Sequence, residues 1–409
     1  MIPEILSPAG NPEKLEAAIR FGADAVYLAG GQFGMRAGAG NFTLEQLKDG
    51  VKYAHDRDVK VYLTVNTMPR EYELPDLYTY LDSLADVGVD ALIVSDLGVL
   101  SEARKRLPHI PLHISTQASS VNSLDINMWE KLGATRVVLA RELSLAEIKE
   151  IRRNISPEME LEVFVHGSMC VSWSGRCLLS NYLTGRDSNR GMCAQPCRWN
   201  FSIHNLGIVE EKRPDITLPV EQHDGETFFM SSRDMCMVEH MAELLDAGIS
   251  SFKIEGRMKS AYYTAVVTNA YRMARDLALR GEPVNPLLLR EVESVSHRTY
   301  GTGYFFSDSH TDPNITEQSG YIREKAYLAT VLSYDETTGE ALCVQRNKYI
   351  LGDGAELLTP GKVGQYVMPQ ALFDESHNPI PSTPHAGMKF YIKLPILAKA
   401  GDILRGAEA

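Results

Sequence analysis

Four times along the chain a helical stretch ends in glycine and runs straight into a short apolar segment. The segments are FGADAVYL at residues 21–28, VGVDALIV at 87–94, LGATRVVL at 132–139 and AGISSFKI at 247–254. Glycine there suits a left-handed helix C-cap, and an unbroken apolar run suits a strand covered on both faces. Runs of the same kind, EILSPAG, KVYLTVN, LHISTQA and LEVFVHG, alternate with these four. The linking segments, such as LEQLKDGVKYAHD and SLAEIKEIRRN, have helical period. Strands are therefore predicted near Glu4, Asp24, Lys60, Ala91, Leu112, Arg136, Leu161 and Ser251. Eight alternating units predict an α/β fold closed into a (β/α)8 TIM-like barrel. An open doubly wound sheet is the alternative, and the count and even spacing favour closure.

The alternation breaks once. After LEVFVHG, the seventh strand, a cysteine-rich insertion spans residues 168–230, and the helix MVEHMAELLDAG then restores the pattern. The insertion starts just beyond the C-terminal end of a barrel strand, the face on which such barrels carry their active sites. From residue 320 the period changes to two. AYLATVLSY, EALCVQRN and MKFYIKLPI, separated by ETTG, GDG and PHAG, predict a small antiparallel C-terminal β-barrel. The predicted domains are residues 1–310 and 320–409.

Composition narrows the class. The chain has 409 residues, 44% of them hydrophobic, and a formal net charge of −12, which argues against a generic polyanion binder but leaves room for a local basic patch. No apolar run reaches the roughly 18 residues of a membrane-spanning helix. MIPEILSPAG lacks the basic start and apolar core of a secretory signal, so a cytoplasmic protein with reduced thiols is expected.

Against that background the cysteines stand out. Cys170, Cys177, Cys193 and Cys197 follow the spacing C-x6-C-x15-C-x3-C, Cys236 follows after another 38 intervening residues, and Cys343 stands in the tail. Structural zinc sites usually show a close pair at both ends, whereas iron–sulfur ligand spacing is looser. Spacing alone leaves iron–sulfur, zinc and unligated thiols all open. Arg176, Arg186, Arg190 and Arg198 surround the cluster, as solvated loop charges or as partners for thiolates.

Polar residues also recur at strand spacing. Alternation places His113, Ser115 and Gln117 on one face, Glu162, Phe164 and His166 on another, and Lys253, Glu255 and Arg257 on a third. Barrel interiors are normally branched and apolar, so inward charges must be paired or liganded. Asn66, Gln117, Arg141, His166 and Arg257 fall nearest the predicted mouth. Together they predict a cationic, hydrogen-bonding pocket for a small carboxylate, since guanidinium groups grip carboxylates bidentately. No glycine-rich phosphate loop, HExxH motif or serine-nucleophile elbow is present.

The stretch LEVFVHGSMCVSWSGRCLLSNYLTGRDSNRGMCAQPCRW, with ILSPAGNPEKLEAAIRFGADAVYLAG before it and FKIEGRMKS after it, resembles the collagenase-like peptidases of unassigned mechanism. Within that family it is most similar to the prephenate-dependent tRNA uridine hydroxylases. The resemblance runs across nearly the whole chain. It implies an oxygen-independent hydroxylation that places 5-hydroxyuridine at the tRNA wobble position, with prephenate as co-substrate and the anticodon loop as partner, and with neither DNA nor membrane involved. It also implies a 4Fe-4S cluster held by Cys170, Cys177, Cys193 and Cys197, with Cys236 the alternative fourth ligand. Arg141, His166 and Arg257 become candidate catalytic residues. Asn66, His113, Gln117, Glu162, Lys253 and Glu255 become candidate substrate contacts. Trp173 and Trp199 are candidates to stack an unpaired base, or plain core residues.

Two other functions remain in play. One is a metal- or thiol-dependent peptidase, for which a Cys170–His166 pair is conceivable although no orienting carboxylate is evident. The other is a non-catalytic RNA-binding iron–sulfur scaffold, which would have no use for a cationic pocket.

Overall fold

The computed structural model describes residues 2–36, 40–198, 232–307 and 321–407 except position 323, together with four short strands between residues 208 and 228. The predicted boundary between residues 310 and 320 and the side chain of Trp199 lie outside the described residues.

Eight parallel strands follow the predicted positions: β1 Glu4–Pro8, β2 Ala25–Ala29, β3 Lys60–Val65, β4 Ala91–Val94, β5 Leu112–Ile114, β6 Arg136–Val138, β7 Glu160–Ser168 and β8 Ser251–Ile254. Each pairs with the next. β8 pairs with both β7 and β1, which closes the barrel. The glycines that end the preceding helices, Gly22, Gly88, Gly133 and Gly248, all have positive φ, from 71° to 98°. That conformation is nearly free for glycine and strained for other residues, so these helices stop where the sequence pattern says they do.

One strand departs from regularity, and it shapes the site. β7 is nine residues long, and its pairing with β8 shifts register between Lys253 and Ile254, so that Lys253 faces Phe164 while Ile254 faces His166. Beyond this bulge β7 turns to a second partner. The short strand Asp234–Cys236 runs antiparallel to residues His166–Ser168. β7 therefore belongs to the barrel at one end and to an outer extension at the other.

The C-terminal domain is a seven-stranded antiparallel half-barrel with its own core, including Ala329, Cys343, Leu357, Phe390 and Leu404. It is anchored to the barrel by polar contacts. Buried Arg405 bonds Glu291 at 2.6 Å and the Ser294 hydroxyl at 2.9 Å, and Asn269 donates to the Lys362 carbonyl at 2.8 Å. No helix among the described residues is long and apolar enough to cross a membrane.

Candidate active site

The lumen of the barrel holds two layers of charge. In the lower layer, fully buried Glu162 accepts from Lys253 at 2.5 Å and from Arg136 at 3.1 Å, and Arg136 also pairs with Glu4 and, at 2.6 Å, with Glu160. Burial alone would raise the Glu162 carboxyl, but Lys253 and Arg136 outweigh it and hold the group below its ordinary value. His113 sits against this layer, edge-on to Tyr62 at 4.8 Å. Burial and the charges of Arg136 and Lys253 push its imidazole well below its ordinary value, so it is neutral.

The upper layer lines a cavity of about 40 Å³ at the C-terminal mouth. Its walls include Tyr27, Arg36, Asn66, Gln117, Arg141, Phe164, Lys253, Glu255 and Arg257. Glu255 lies between two guanidinium groups, 3.8 Å from Arg36 and 3.6 Å from Arg141, each on a different carboxylate oxygen. Burial raises the Glu255 carboxyl, and Arg36, Arg141, Arg257 and Lys253 together overcome that and lower it. Arg141 stacks over Phe164 at 3.9 Å and donates to the Ser168 carbonyl at 2.7 Å, while its buried Nε has no hydrogen-bond partner among the described residues. Arg257 is 3% exposed, and its nearest side-chain acceptor is the Thr64 hydroxyl at 3.4 Å. No carboxylate among the described residues stands within 4.0 Å of it. Burial, and to a lesser degree the neighbouring Arg36, pull its guanidinium down to about 10 against the support of Tyr27. With Lys253 committed to Glu162, Glu255 is the one carboxylate lining this cavity among the described residues, beside the guanidiniums of Arg36, Arg141 and Arg257. A desolvated cation in that position is costly, and an anion beside it would offset the cost.

Above the mouth lies a second cavity, about 60 Å³, lined by Cys170, Cys177, Cys193 and Cys197. It shares Met35, Arg36, Gln117 and Arg141 with the cavity below. The thiol loop is seated on the rim by close backbone contact. Gly175 has φ +76°, and a Cβ there would meet the Gln117 carbonyl oxygen at 2.2 Å. The Ser119 hydroxyl donates to the Ser174 carbonyl at 2.5 Å, Ser174 N–H donates to Glu142, and Arg190 pairs with Glu73.

The donor chemistry fits an iron–sulfur cluster: four thiols face one space, and the Gln195 N–H points at Cys193 Sγ from 3.4 Å, the kind of bond that tunes cluster sulfurs. No group of three or more His, Cys, Asp or Glu side chains among the described residues stands ready-made to hold a metal. The thiols would have to converge on the cluster, since metal binding and local folding are coupled in such loops. Cys236 does not line this space. It is buried beside Tyr271 at 3.9 Å, and burial pushes its thiol up to about 12.

The structure thus brings together six of the predicted pocket residues, Asn66, Gln117, Arg141, Lys253, Glu255 and Arg257. It sets three apart. Glu162 belongs to the ion-pair layer beneath, and His113 packs beside that layer. His166 is turned out of the lumen. Its ring nitrogens meet the Tyr271 and Tyr300 hydroxyls at 3.2 and 3.3 Å, and burial drives it down to about 3. The bulge in β7 is the reason: one extra residue reverses which face the next side chain takes. Cys170 and His166 consequently do not form a nucleophile pair. Two contributors were missed by the sequence reading. Arg136 was seen only as a strand start. Arg36 lies in GGQFGMRAG immediately after β2, and its place at the C-terminal end of a barrel strand was the available signal.

A (β/α)8 barrel with an anion-seeking mouth roofed by a four-thiol loop, followed by an antiparallel half-barrel, defines the class. The chain belongs to peptidase family U32: residues 10–314 match that family and residues 323–405 match the peptidase family U32 C-terminal domain. It is 35% identical to tRNA hydroxylation protein P1 of Bacillus subtilis (strain 168), over 94% of this chain and 90% of that protein. It is 43% identical to an uncharacterized protease of Methanocaldococcus jannaschii, over 75% and 73%. It is 31% identical to the 23S rRNA 5-hydroxycytidine C2501 synthase of Escherichia coli (strain K12), over 93% of this chain and 58% of that protein.

Proposed function

We propose that this chain is an RNA-modifying enzyme that hydroxylates the wobble uridine of tRNA to 5-hydroxyuridine, with prephenate as anionic co-substrate. The names of its relatives support RNA hydroxylation. The observation that carries the reading is the buried Arg257, without a carboxylate partner among the described residues, in one cavity with Arg36 and Arg141, which also line the cavity of the four cysteines. Arg257 and Arg141 would hold a carboxylate each. Phe164 and Tyr27 offer apolar walls, and Asn66 and Gln117 offer amide groups. A cavity of about 40 Å³ admits only a few atoms, about three waters' worth, so a dicarboxylate would insert one end and extend along the shared wall toward the thiols. Cys170, Cys177, Cys193 and Cys197 would hold a 4Fe-4S cluster. A cluster held there would supply electron transfer and Lewis acidity beside the bound ligand. At the rim, half-exposed Trp173 and exposed Arg186 suit an anticodon loop whose bases stack and whose phosphates need cations.

The direct test is to incubate anaerobically loaded protein with prephenate and tRNA lacking the modification, then digest the RNA and look for 5-hydroxyuridine by mass spectrometry. Unmodified uridine with a fully loaded cluster would defeat the reading. Arg257→Ala is expected to weaken prephenate binding about ten- to hundredfold, the loss of one charge-assisted hydrogen bond. Its melting temperature should stay near wild type, because no carboxylate within ion-pair distance is stranded. A large fall in melting with prephenate binding intact would make Arg257 structural.

A further inference from the structure

Four consecutive main-chain carbonyls, from Ile254 at the end of β8 to Arg257, each accept a hydrogen bond from a different donor. The Tyr27 hydroxyl reaches the Ile254 carbonyl at 2.9 Å, and the Tyr263 hydroxyl reaches that of Glu255 at 2.9 Å. The Lys259 N–H donates to the Gly256 carbonyl at 2.8 Å, and the Lys14 ammonium to the Arg257 carbonyl at 3.0 Å. The Glu255 N–H is held as well, by the His166 carbonyl at 2.9 Å. Gly256 has no room for a side chain, since a Cβ there would meet the Tyr263 ring at 2.5 Å. The segment that carries Glu255 and Arg257 into the anion cavity is thus fixed at every carbonyl.

Lys14 is the donor whose place needs explaining. It stands third in the helix Pro12–Arg20. A cation is disfavoured there, because the start of a helix already carries partial positive charge. Partial burial also pulls its ammonium below the ordinary value, against the support of Glu13. No ion pair accounts for it: among the described residues no carboxylate lies within 4.0 Å of Lys14 Nζ, and Glu13 is paired with Arg346 at 2.5 Å. Its position gives its side chain a direction instead. The Asn11 side chain caps the helix on the Lys14 N–H at 3.0 Å, and the ammonium turns back over Gly10. A Cβ on Gly10 would lie 3.2 Å from Lys14 Nζ and 2.3 Å from the Arg257 carbonyl oxygen, so the two meet only because Gly10 has none.

Arg257 depends on such a hold. Its guanidinium is 3% exposed and donates to the Thr64 hydroxyl at a long 3.4 Å. A long side chain so lightly tied at its tip takes its aim from its backbone, and a side chain already aimed has less freedom to lose when a ligand orders it.

We propose that Lys14 is a positioning residue: by holding the Arg257 main-chain carbonyl it fixes how the Arg257 guanidinium enters the mouth. The effect on ligand affinity rests on the mouth taking an anion, whereas the hold on Arg257 does not.

Phenylglyoxal, which modifies arginine guanidines, reads the hold without any ligand. In anaerobically purified full-length protein, Lys14→Met should speed the reaction at Arg257 severalfold, followed by peptide mass spectrometry. Malonate, a minimal dicarboxylate, and prephenate are then titrated by calorimetry. Lys14→Met should weaken both about tenfold, the effect of leaving one long side chain to be ordered on binding. Lys14→Arg can still donate to the carbonyl and should recover most of both effects. Gly10→Ala changes no charge, yet its Cβ displaces the carbonyl and should weaken both anions at least as much, with melting read alongside. In an Arg257→Ala background Lys14→Met should have no further effect, since Lys14 acts through Arg257.

If Lys14 only added positive charge, folded Gly10→Ala would bind normally and the Lys14→Met loss would persist without Arg257; either result overturns the proposal. Where wild type binds malonate, unchanged affinity in folded Lys14→Met overturns it too and leaves the functional reading standing. Malonate binding as expected with no prephenate binding keeps Lys14 in its role and removes prephenate as co-substrate. If neither anion binds wild type, the anion reading of the mouth falls, and the Arg257 reaction rate alone decides for or against the hold.

Discussion

Cys177→Ala protein is expected to emerge from anaerobic purification with almost no iron, no broad visible absorption and no hydroxylating activity. The loss should be nearly complete rather than one quarter, because a cluster held by four thiolates and coupled to loop folding fails as a unit when one is removed. Cys170→Ala, Cys193→Ala and Cys197→Ala should behave alike, since all four thiols face one cavity. Cys236→Ala and Cys343→Ala should keep their iron. Cys236 lies behind the β7 extension against Tyr271, and Cys343 is a fully buried member of the C-terminal core, where a thiol acts as a small hydrophobe. Iron analysis across the six single variants decides the matter. Iron lost from Cys236→Ala and kept in Cys197→Ala would exchange those two assignments. Full iron and activity in Cys177→Ala would end the cluster assignment altogether.

Glu162→Gln should destabilise the barrel by about 3–5 kcal/mol, the usual consequence of removing one partner of a buried ion pair. Arg136 keeps Glu4 and Glu160, so the group left stranded is Lys253, 4% exposed and bonded to Glu162 at 2.5 Å. The melting temperature should fall on the order of 10 °C. The double variant Glu162→Gln with Lys253→Met should recover most of that loss, because no uncompensated charge remains. Calorimetry of the single and double variants checks this. If Glu162→Gln melted like wild type but no longer bound prephenate, Glu162 would be a ligand contact after all.

These two experiments probe groups whose legibility in the sequence differed. Glu162 and Lys253 were visible as inward charges, because alternation along a strand is a local property. Their partner Arg136 was not, because ion pairing across strands depends on register, and register is set by closure of the whole barrel. The Glu255 and Arg257 positions just after β8 were legible for the same local reason. Arg36 was not, because it lies on a turn where neither period applies.

The sequence by itself determined the eight strands, their order and the four glycine-capped helix ends. Strands buried on both faces must be continuously apolar, and a chain that turns sharply after a helix needs positive φ. It also determined that four thiols would share one loop, since they lie within 28 residues of one another. Only the tertiary structure decided the rest. A bulge in β7, forced where that strand trades β8 for Asp234–Cys236, turned His166 out of the lumen and placed Cys236 behind the wall. Packing of the thiol loop on the rim joined its cysteines to Arg36 and Arg141 in one space. Those outcomes depend on contacts between segments far apart in the chain, and no local periodicity encodes them.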